Sequence, residues 1–502
     1  MELEYLLEGF TSLWDPQVIL WCLIGVVIGT LVGSLPGLGP MAGIAILLPL
    51  SFTLGQLEAL LLIMGVYQGA MYGGSISSIL INVPGEASSV VTTFDGYQMT
   101  KKGKAGYALA LSAISSFSGG MISFVGLVFL TPIVASWALA FGPPEYFALM
   151  LFTLIATSGL GGNTLTKGLI SMGIGLLASM VGTDSIEGVQ RLTFGFVDLW
   201  DGIGLIPLAV GIFGFSEVLF IIEDMGKESE NLTKKIPFRE LFPTVKQIVG
   251  NAWSILRGAL IGFFVGTLPG AGASVSTFIS YSVEKNLSKH PEKFGTGIDE
   301  GISGPESTNN ASVGGALIPL FSLGIPGSGT GAILMGALIM LGLQPGPLML
   351  EKSGDVIWAT IAGLMLANVF LLILNTAFVP TFTMLIAKAQ PYLAPLVATL
   401  CLVGVYMLEY SFFDVGFSLM FGLMGFFMKK YGFPLPPVIL GLVLGGMIEM
   451  NYRQSLLLSH NSFSIFFTRP IAFVFMILTI GVIILPVFKK LISIIRRPEL
   501  KA

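Results

Sequence analysis

Apolar runs long enough to cross the roughly 30 Å hydrocarbon core of a bilayer recur along the chain, for example at 17–33, 105–133, 146–162, 203–222, 355–385 and 469–488. Short polar segments separate them. The pattern predicts an all-α polytopic membrane protein with about 10–12 transmembrane helices. Composition agrees, since 54% of the 502 residues are hydrophobic and only 11% are charged, where a soluble domain carries about a quarter charged. A soluble globular protein is excluded. The 64 Gly and 27 Pro fit the same class, because both residues are enriched in membrane helices, above all where helices break around a site.

Charge adds orientation. The start MELEYLLEGF has three Glu and no Lys or Arg, unlike the basic n-region of a secretory signal, so the first span is expected to be retained. The basic end KKLISIIRRPELKA is expected on the cytoplasmic side. A net charge of −4, spread over loops, offers no footprint for nucleic acid. Cys22 and Cys401 lie in apolar stretches and read as packed thiols.

Sliding the chain along itself superposes LVGSLPGLGPMAGIAIL (31–47) on FVGTLPGAGASVSTFIS (264–280) at a shift of 233 residues. Gly29, Gly33, Leu35, Pro36, Gly37 and Gly39 then fall on Gly262, Gly266, Leu268, Pro269, Gly270 and Gly272. So ordered a match predicts a duplication. Gly73-Gly74 before Pro84-Gly85 is paired with Gly314-Gly315 before Pro326-Gly327, with spacings that differ by one residue. Two inverted repeats are therefore expected, residues 1–235 and 236–502, each with a broken helix and a re-entrant hairpin, at about 57–96 and about 304–345. The polar stretch 283–300 is present only in the second half and reads as a solvated loop.

Proline in mid-helix removes a hydrogen bond, and the glycine after it lets the chain turn. In lipid this is tolerated only where the freed backbone groups face protein, water or a ligand, and paired interruptions point to a transporter site near the midplane. The hairpin sequences 72–96 and 304–332 are rich in Gly, Ser and Thr. Half-helix N-termini suit carboxylates, while unwound carbonyls and amides suit Na⁺. Candidate substrate-binding positions are Gly37, Gly39, Ser75, Asn82, Pro84, Gly85, Ser88, Gly270, Gly272, Ser274, Asn309, Asn310, Pro326, Gly327 and Ser328, with Na⁺ expected near Asn82, Asn309 and Asn310. Each also has a plain packing reading.

Among the charged residues near these motifs, Glu86 either carries a proton or marks the solvent-exposed end of the first hairpin. Asp95, followed by Lys101, Lys102 and Lys104, reads as a solvated charge in an interfacial loop. Glu300 and Glu306 complete the set, and an ionisable group inside a membrane is a functional hypothesis by default. None of the seven Arg lies in the Pro-Gly motifs, so a bound cation, Na⁺ or H⁺, is the expected countercharge for an anionic substrate. No GxxxxGK[ST] loop is present. The two His fall in no HExxH motif, and no nucleophile, base and orienter can be assembled, so neither an enzyme nor a resident cofactor is expected.

At GLGPMAGIAILLPLSF (37–52), YGGSISSILINVPGEASSVVTTFDGYQMTKKGKAG (72–106) and PESTNNASVGGALIPLFSLGIPGSGTGAILMGAL (305–338), the chain resembles the large permease subunit of the tripartite tricarboxylate transporter family. The resemblance implies uptake of citrate-like or other small carboxylates, driven by a cation gradient, across a bacterial inner membrane. It also implies two partners, a small membrane subunit and a periplasmic solute-binding protein, besides membrane lipid; a homo-oligomer is compatible with it. Gly37, Gly39, Asn82, Pro84, Gly85, Asn309, Asn310, Pro326 and Gly327 carry over as motif positions. One departure is Gln98, where the family pattern leads one to expect proline, a change that should loosen a turn. The competing reading is an ion channel or a structural subunit of a larger membrane complex.

Overall fold

A computed structural model describes residues 2–35, 38–160, 165–184, 186–224, 243–379 and 392–495. The described residues are mostly helical, with one short antiparallel ribbon in which Gly182–Thr183 pairs with Gln190–Arg191. In order, α1 is Glu2–Ser12, α2 Pro16–Ser34, α3 Gly39–Ser51, α4 Gln56–Ile81, α5 Val90–Lys101, α6 Ala105–Ala138, α7 Pro143–Leu160 and α8 Leu165–Ser179. Then follow α9, Leu205–Glu223, with a π-helical stretch at Val210–Phe215, α10 Ala252–Gly266, α11 Gly272–Leu287, α12 Glu300–Leu323 and α13 Gly329–Met340. The series ends with α14 Gly354–Ala377, α15 Leu393–Glu409, α16 Phe412–Lys430, α17 Pro436–Leu458 and α18 Pro470–Ile495. Among the described residues six helices are long and apolar enough to cross a membrane, α2, α4, α6, α9, α14 and α16. Six further apolar segments of 10–17 residues accompany them, so the protein is a polytopic all-α membrane protein.

Helix ends follow local chemistry. Asp15 caps α2 by accepting the Gln17 N–H, with Pro16 in the first turn where its missing N–H costs nothing. The expected breaks are present: α2 stops at Ser34 and α3 starts at Gly39, while α10 stops at Gly266 and α11 starts at Gly272. Gly39 and Gly272 open the second helices at φ of 57° and 55°, a left-handed backbone that glycine adopts without a steric penalty.

The two matched glycine motifs make parallel contacts. Gly25, Gly29 and Gly33 of α2 lie against the carbonyls of Leu62, Val66 and Ala70 of α4, so closely that a Cβ would come within 2.3, 2.5 and 2.1 Å of those oxygens. Gly258, Gly262 and Gly266 of α10 meet Gly304, Thr308 and Ser312 of α12 in the same way, at 2.3, 2.2 and 2.7 Å. Bare glycine faces let two backbones approach where lipid supplies no hydrophobic drive. The same contacts correct the pairing of the hairpins. Gly73 rests on Thr30 O and Gly315 on Phe263 O, so Gly73 corresponds to Gly315, not Gly314, and the spacing to the Pro-Gly pair is identical in both halves.

The halves are interlocked. Gly119 of α6 packs on the Ser307 carbonyl of α12, and Gly363 of α14 packs on Leu61 of α4. Asn368 of α14 accepts the Tyr72 hydroxyl hydrogen at 2.5 Å and donates to Phe117 O at 2.8 Å. One compact unit, residues 1–138 and 204–430, therefore contains both breaks and both hairpins. The second unit comprises 139–203 and 431–502. In it Gly175 of α8 lies on Val438 O of α17, and Arg191 and Arg453 share Asp184 and Glu449. The polar linker near 224–247 and the basic C-terminal tail lie largely outside the described residues.

Candidate functional site

The hairpin tips are Asn82-Val83-Pro84-Gly85-Glu86 and Gly324-Ile325-Pro326-Gly327-Ser328. Asn82 and Gly324 end α4 and α12 in the left-handed region, at φ of 59° and 66°. Glu86 and Ser328 are extended N-cap residues with φ of −143° and −153° and ψ of 169° in both. The two tips thus share one backbone path. Each rests on the end of a broken helix: a Cβ at Gly85 would lie 2.0 Å from Gly33 O, and Gly327 lies nearest Gly266 O and Pro269. Gly270 donates its N–H to Gly327 O at 2.8 Å, tying the second break to the second tip. Pro36 and Gly37 lie outside the described residues.

The side chains are less symmetric than the backbone. Asn309 on α12 is buried and donates its amide to Met71 O at 3.3 Å and to Glu86 Oε1 at 3.2 Å. Ser88 donates to the same Glu86 oxygen. Both neighbours of the Asn309 amide nitrogen are acceptors, which fixes which way the amide points. Its Oδ1 is then left buried without a donor. One turn earlier on α12, Glu306 is fully buried, and its carboxylate accepts hydroxyl hydrogens from Ser75 at 2.7 Å, Ser112 at 2.9 Å, Ser116 at 3.1 Å and Thr92. Four helices contribute to this cluster, α4, α5, α6 and α12.

Ser75, Ser88 and Asn309 are thus brought together with the carboxyl side chains of Glu86 and Glu306. Ser328 caps α13 by accepting the Gly331 N–H at 3.1 Å, and Ser274 lies half-buried in the first turn of α11. Asn310 donates to Glu306 O within its own helix at 3.4 Å. Asn82 is exposed, and its left-handed backbone at a helix C-cap is a role in which Asn is second only to Gly. Thr92, Ser112 and Ser116 escaped the sequence reading. A signal existed for two of them, since Ser112 and Ser116 lie one turn apart on one face of a long apolar helix, although the same helix carries further Ser and Thr residues that do not reach the cluster.

Three expectations are corrected. Asp95 is not a solvated loop charge: it is fully buried in α5 and accepts the N–H groups of Gly295, at 3.0 Å, Gly297, at 2.7 Å, and Ile298, at 3.1 Å, with the Tyr281 hydroxyl at 2.8 Å. The polar stretch 283–300 is accordingly not a free loop, because its Gly295–Ile298 turn is the partner of Asp95, and its Glu284 is buried against Arg257. Gln98 loosens no turn, since it lies inside α5 and its carbonyl accepts the Lys102 N–H.

Paired breaks, paired hairpins and buried polar side chains on the helices of those hairpins are the arrangement of a polytopic membrane transporter. The model of the Tripartite tricarboxylate transporter TctA family matches residues 19–440, and the chain belongs to that family. It is 39% identical over 464 residues, 92% of each chain, to the "Uncharacterized 52.8 kDa protein in TAR-I ttuC' 3'region" of Agrobacterium vitis. It is 36% identical over 211 residues to the "Uncharacterized protein in TAR-II ttuC' 3'region" of the same organism, covering 42% of this chain and 87% of that one. No solved structure matches. The family is one component of a tripartite system, with a small membrane subunit and a periplasmic binding protein.

Proposed function

We propose that this permease moves small di- and tricarboxylates, citrate-like organic anions, inward across the bacterial inner membrane, driven by a cation gradient. The observation that carries the reading is the meeting of two equivalent Pro-Gly tips with two broken helices inside one compact unit. Such tips present backbone donors and helix N-termini to an anion while leaving carbonyls for a cation. A shared unit also suits an elevator-type movement, with the two repeats inverted about the membrane plane and the hairpins travelling as one body. The solute-binding protein delivers the anion and the small membrane subunit completes the permease.

The test is uptake of labelled citrate and related di- and tricarboxylates into proteoliposomes, with both partner proteins supplied and Na⁺ and pH gradients imposed separately. Saturable uptake that one gradient accelerates, together with counterflow of labelled substrate, is the expected result. Uptake without saturation or counterflow would instead make the protein a channel.

A further inference from the structure

The segment between α8 and α9 turns its charges inward and its apolar side chains outward. Asp184 of the ribbon is buried and pairs with both Arg191 and Arg453, the latter at 3.2 Å, while Glu449 of α17 pairs with Arg191 at 2.8 Å and with Arg453 at 2.7 Å. The charged side is thereby locked onto α17. Ile186, Val189, Leu192, Phe194, Val197 and Trp200 are all exposed, Phe194 at 80%. Leu192 and Phe194 hold a left-handed backbone there, at φ of 51° and 50°, which bulky residues rarely adopt. A surface facing water shows the reverse polarity.

The depth of the segment follows from the helices that carry it. α8 and α17 run side by side in the same direction, because Gly175 meets Val438 O and, one turn further, Ser179 Oγ meets Gly445. Lys167 in the first turn of α8 donates to Tyr431 O ahead of α17 and marks the aqueous boundary at that end. α8 rises only about 22 Å, roughly 8 Å short of the hydrocarbon core. Glu449 and Arg453 lie about 20–26 Å along α17 from Pro436, so the ribbon they hold stands at the far edge of the apolar layer. Exposed Ile170, Leu177 and Met180 continue the apolar surface from α8 up to it. Its main chain is well paired, as a place poor in water demands: the Thr183 N–H donates to Trp200 O at 2.8 Å, that of Asp184 to Val189 O at 2.9 Å and that of Gly188 to Asp184 O at 2.8 Å. α7 runs back against α8, with Ser158 O on Gly168, and Arg469 ahead of α18 pairs with Glu145 at the start of α7. α18 therefore leads from the ribbon's end of the unit toward the basic tail.

We propose that residues 182–200 form an interfacial anchor, whose exposed Ile186, Val189, Leu192, Phe194, Val197 and Trp200 seat in the headgroup–acyl boundary of the phospholipid bilayer, at the end of the unit opposite the basic tail. Aromatic and aliphatic side chains suit that boundary. The exposed acids Glu187 and Asp198 stay hydrated among the headgroups, which the hydrocarbon layer would not allow. The anchor sets the depth of residues 139–203 and 431–502 in the membrane, and it stands without the transport reading.

Cys22 and Cys401 are buried, so a cysteine introduced by Phe194→Cys, or by Val197→Cys should the first variant fold poorly, can be labelled alone with an environment-sensitive thiol fluorophore. The labelled permease is placed in phospholipid nanodiscs, first alone, then with the small membrane subunit, then with the binding protein. Lipid carrying a nitroxide near its headgroup is expected to lower the emission about twofold or more in all three preparations, and aqueous iodide to leave it nearly unchanged. Lys289→Cys, at an exposed position, is the aqueous control and should show the opposite pattern. Iodide quenching in Phe194→Cys and Val197→Cys as strong as in Lys289→Cys would overturn the anchor. Loss of the lipid quenching on adding either partner would overturn it as well, because a protein and not lipid would then cover the segment.

Discussion

Asn309 of α12 donates its side-chain amide to the carboxylate of Glu86 across 3.2 Å, joining the second repeat to the tip of the first hairpin. The bond spans 223 residues of sequence, its donor from the second hairpin's first helix and its acceptor from the tip of the first. Replacing Asn309 by Ala removes the bond to Glu86 and leaves Met71 O with one donor fewer, at a cost of roughly 1–3 kcal/mol. Asn309→Asp should do worse, placing a second carboxylate beside Glu86. Carboxylate uptake in proteoliposomes is expected to fall at least tenfold in both, with normal amounts of protein in the membrane. Parental rates in either variant would make Asn309 a packing residue.

The tip glycines are equivalent by sequence but not by space. A Cβ at Gly85 would lie 2.0 Å from Gly33 O and 2.6 Å from Gly74 Cα, whereas at Gly327 the nearest atoms are 3.8 and 4.0 Å away. Gly85→Ala must therefore push the first tip off α2, costing about 1–3 kcal/mol. Gly327→Ala should be tolerated. Paired melting curves and uptake rates decide, and equal damage in the two variants would contradict the packing described.

Asn82 separates a backbone role from an amide role. At φ of 59° glycine is at least as comfortable as asparagine, while alanine costs about 1 kcal/mol. Asn82→Gly is thus expected to retain both stability and uptake, as Gly324 does the equivalent job in the second hairpin. If Asn82→Gly folds but loses uptake, the amide belongs to the binding site after all.

Asp95 anchors the turn between α11 and α12. Asp95→Ala leaves three backbone N–H groups without their acceptor and should cost about 3 kcal/mol. Tyr281→Phe removes one bond from the same carboxylate, at about 1 kcal/mol. The order Asp95→Ala, then Tyr281→Phe, then parental protein is expected in thermal midpoints; identical midpoints would mean that this turn is held by other contacts.

Arg257 and Glu284 are paired through two bonds of 2.9 and 2.6 Å, with the carboxylate fully buried. Arg257→Ala strands that charge, at about 3 kcal/mol. Adding Glu284→Gln should recover much of the loss, since a neutral amide needs no counterion. A double variant no more stable than Arg257→Ala would show that the charge was already compensated elsewhere.

What the sequence determined by itself is what depends on local pattern. Apolar length set the membrane class, Pro-Gly pairs placed the breaks and the tips, and the G-x3-G-x-LPG-x-G match exposed the duplication, because each follows from backbone sterics and the cost of unpaired groups in lipid. Tertiary structure decided the rest. The shift between copies is 233 residues into the start of α11 and 242 from α12 on, as Gly29 and Gly262 face Val66 and Thr308; the sequence already places the extra residues in 283–300, and only packing reveals that this stretch binds Asp95. Asp95 looked solvated because its neighbours in sequence are lysines, but its environment is set by Gly295, Gly297 and Ile298, some 200 residues along the chain. The Glu306 cluster was equally hidden: its hydroxyls come from three other helices, and no local pattern records which helices become neighbours when glycine faces let their backbones meet.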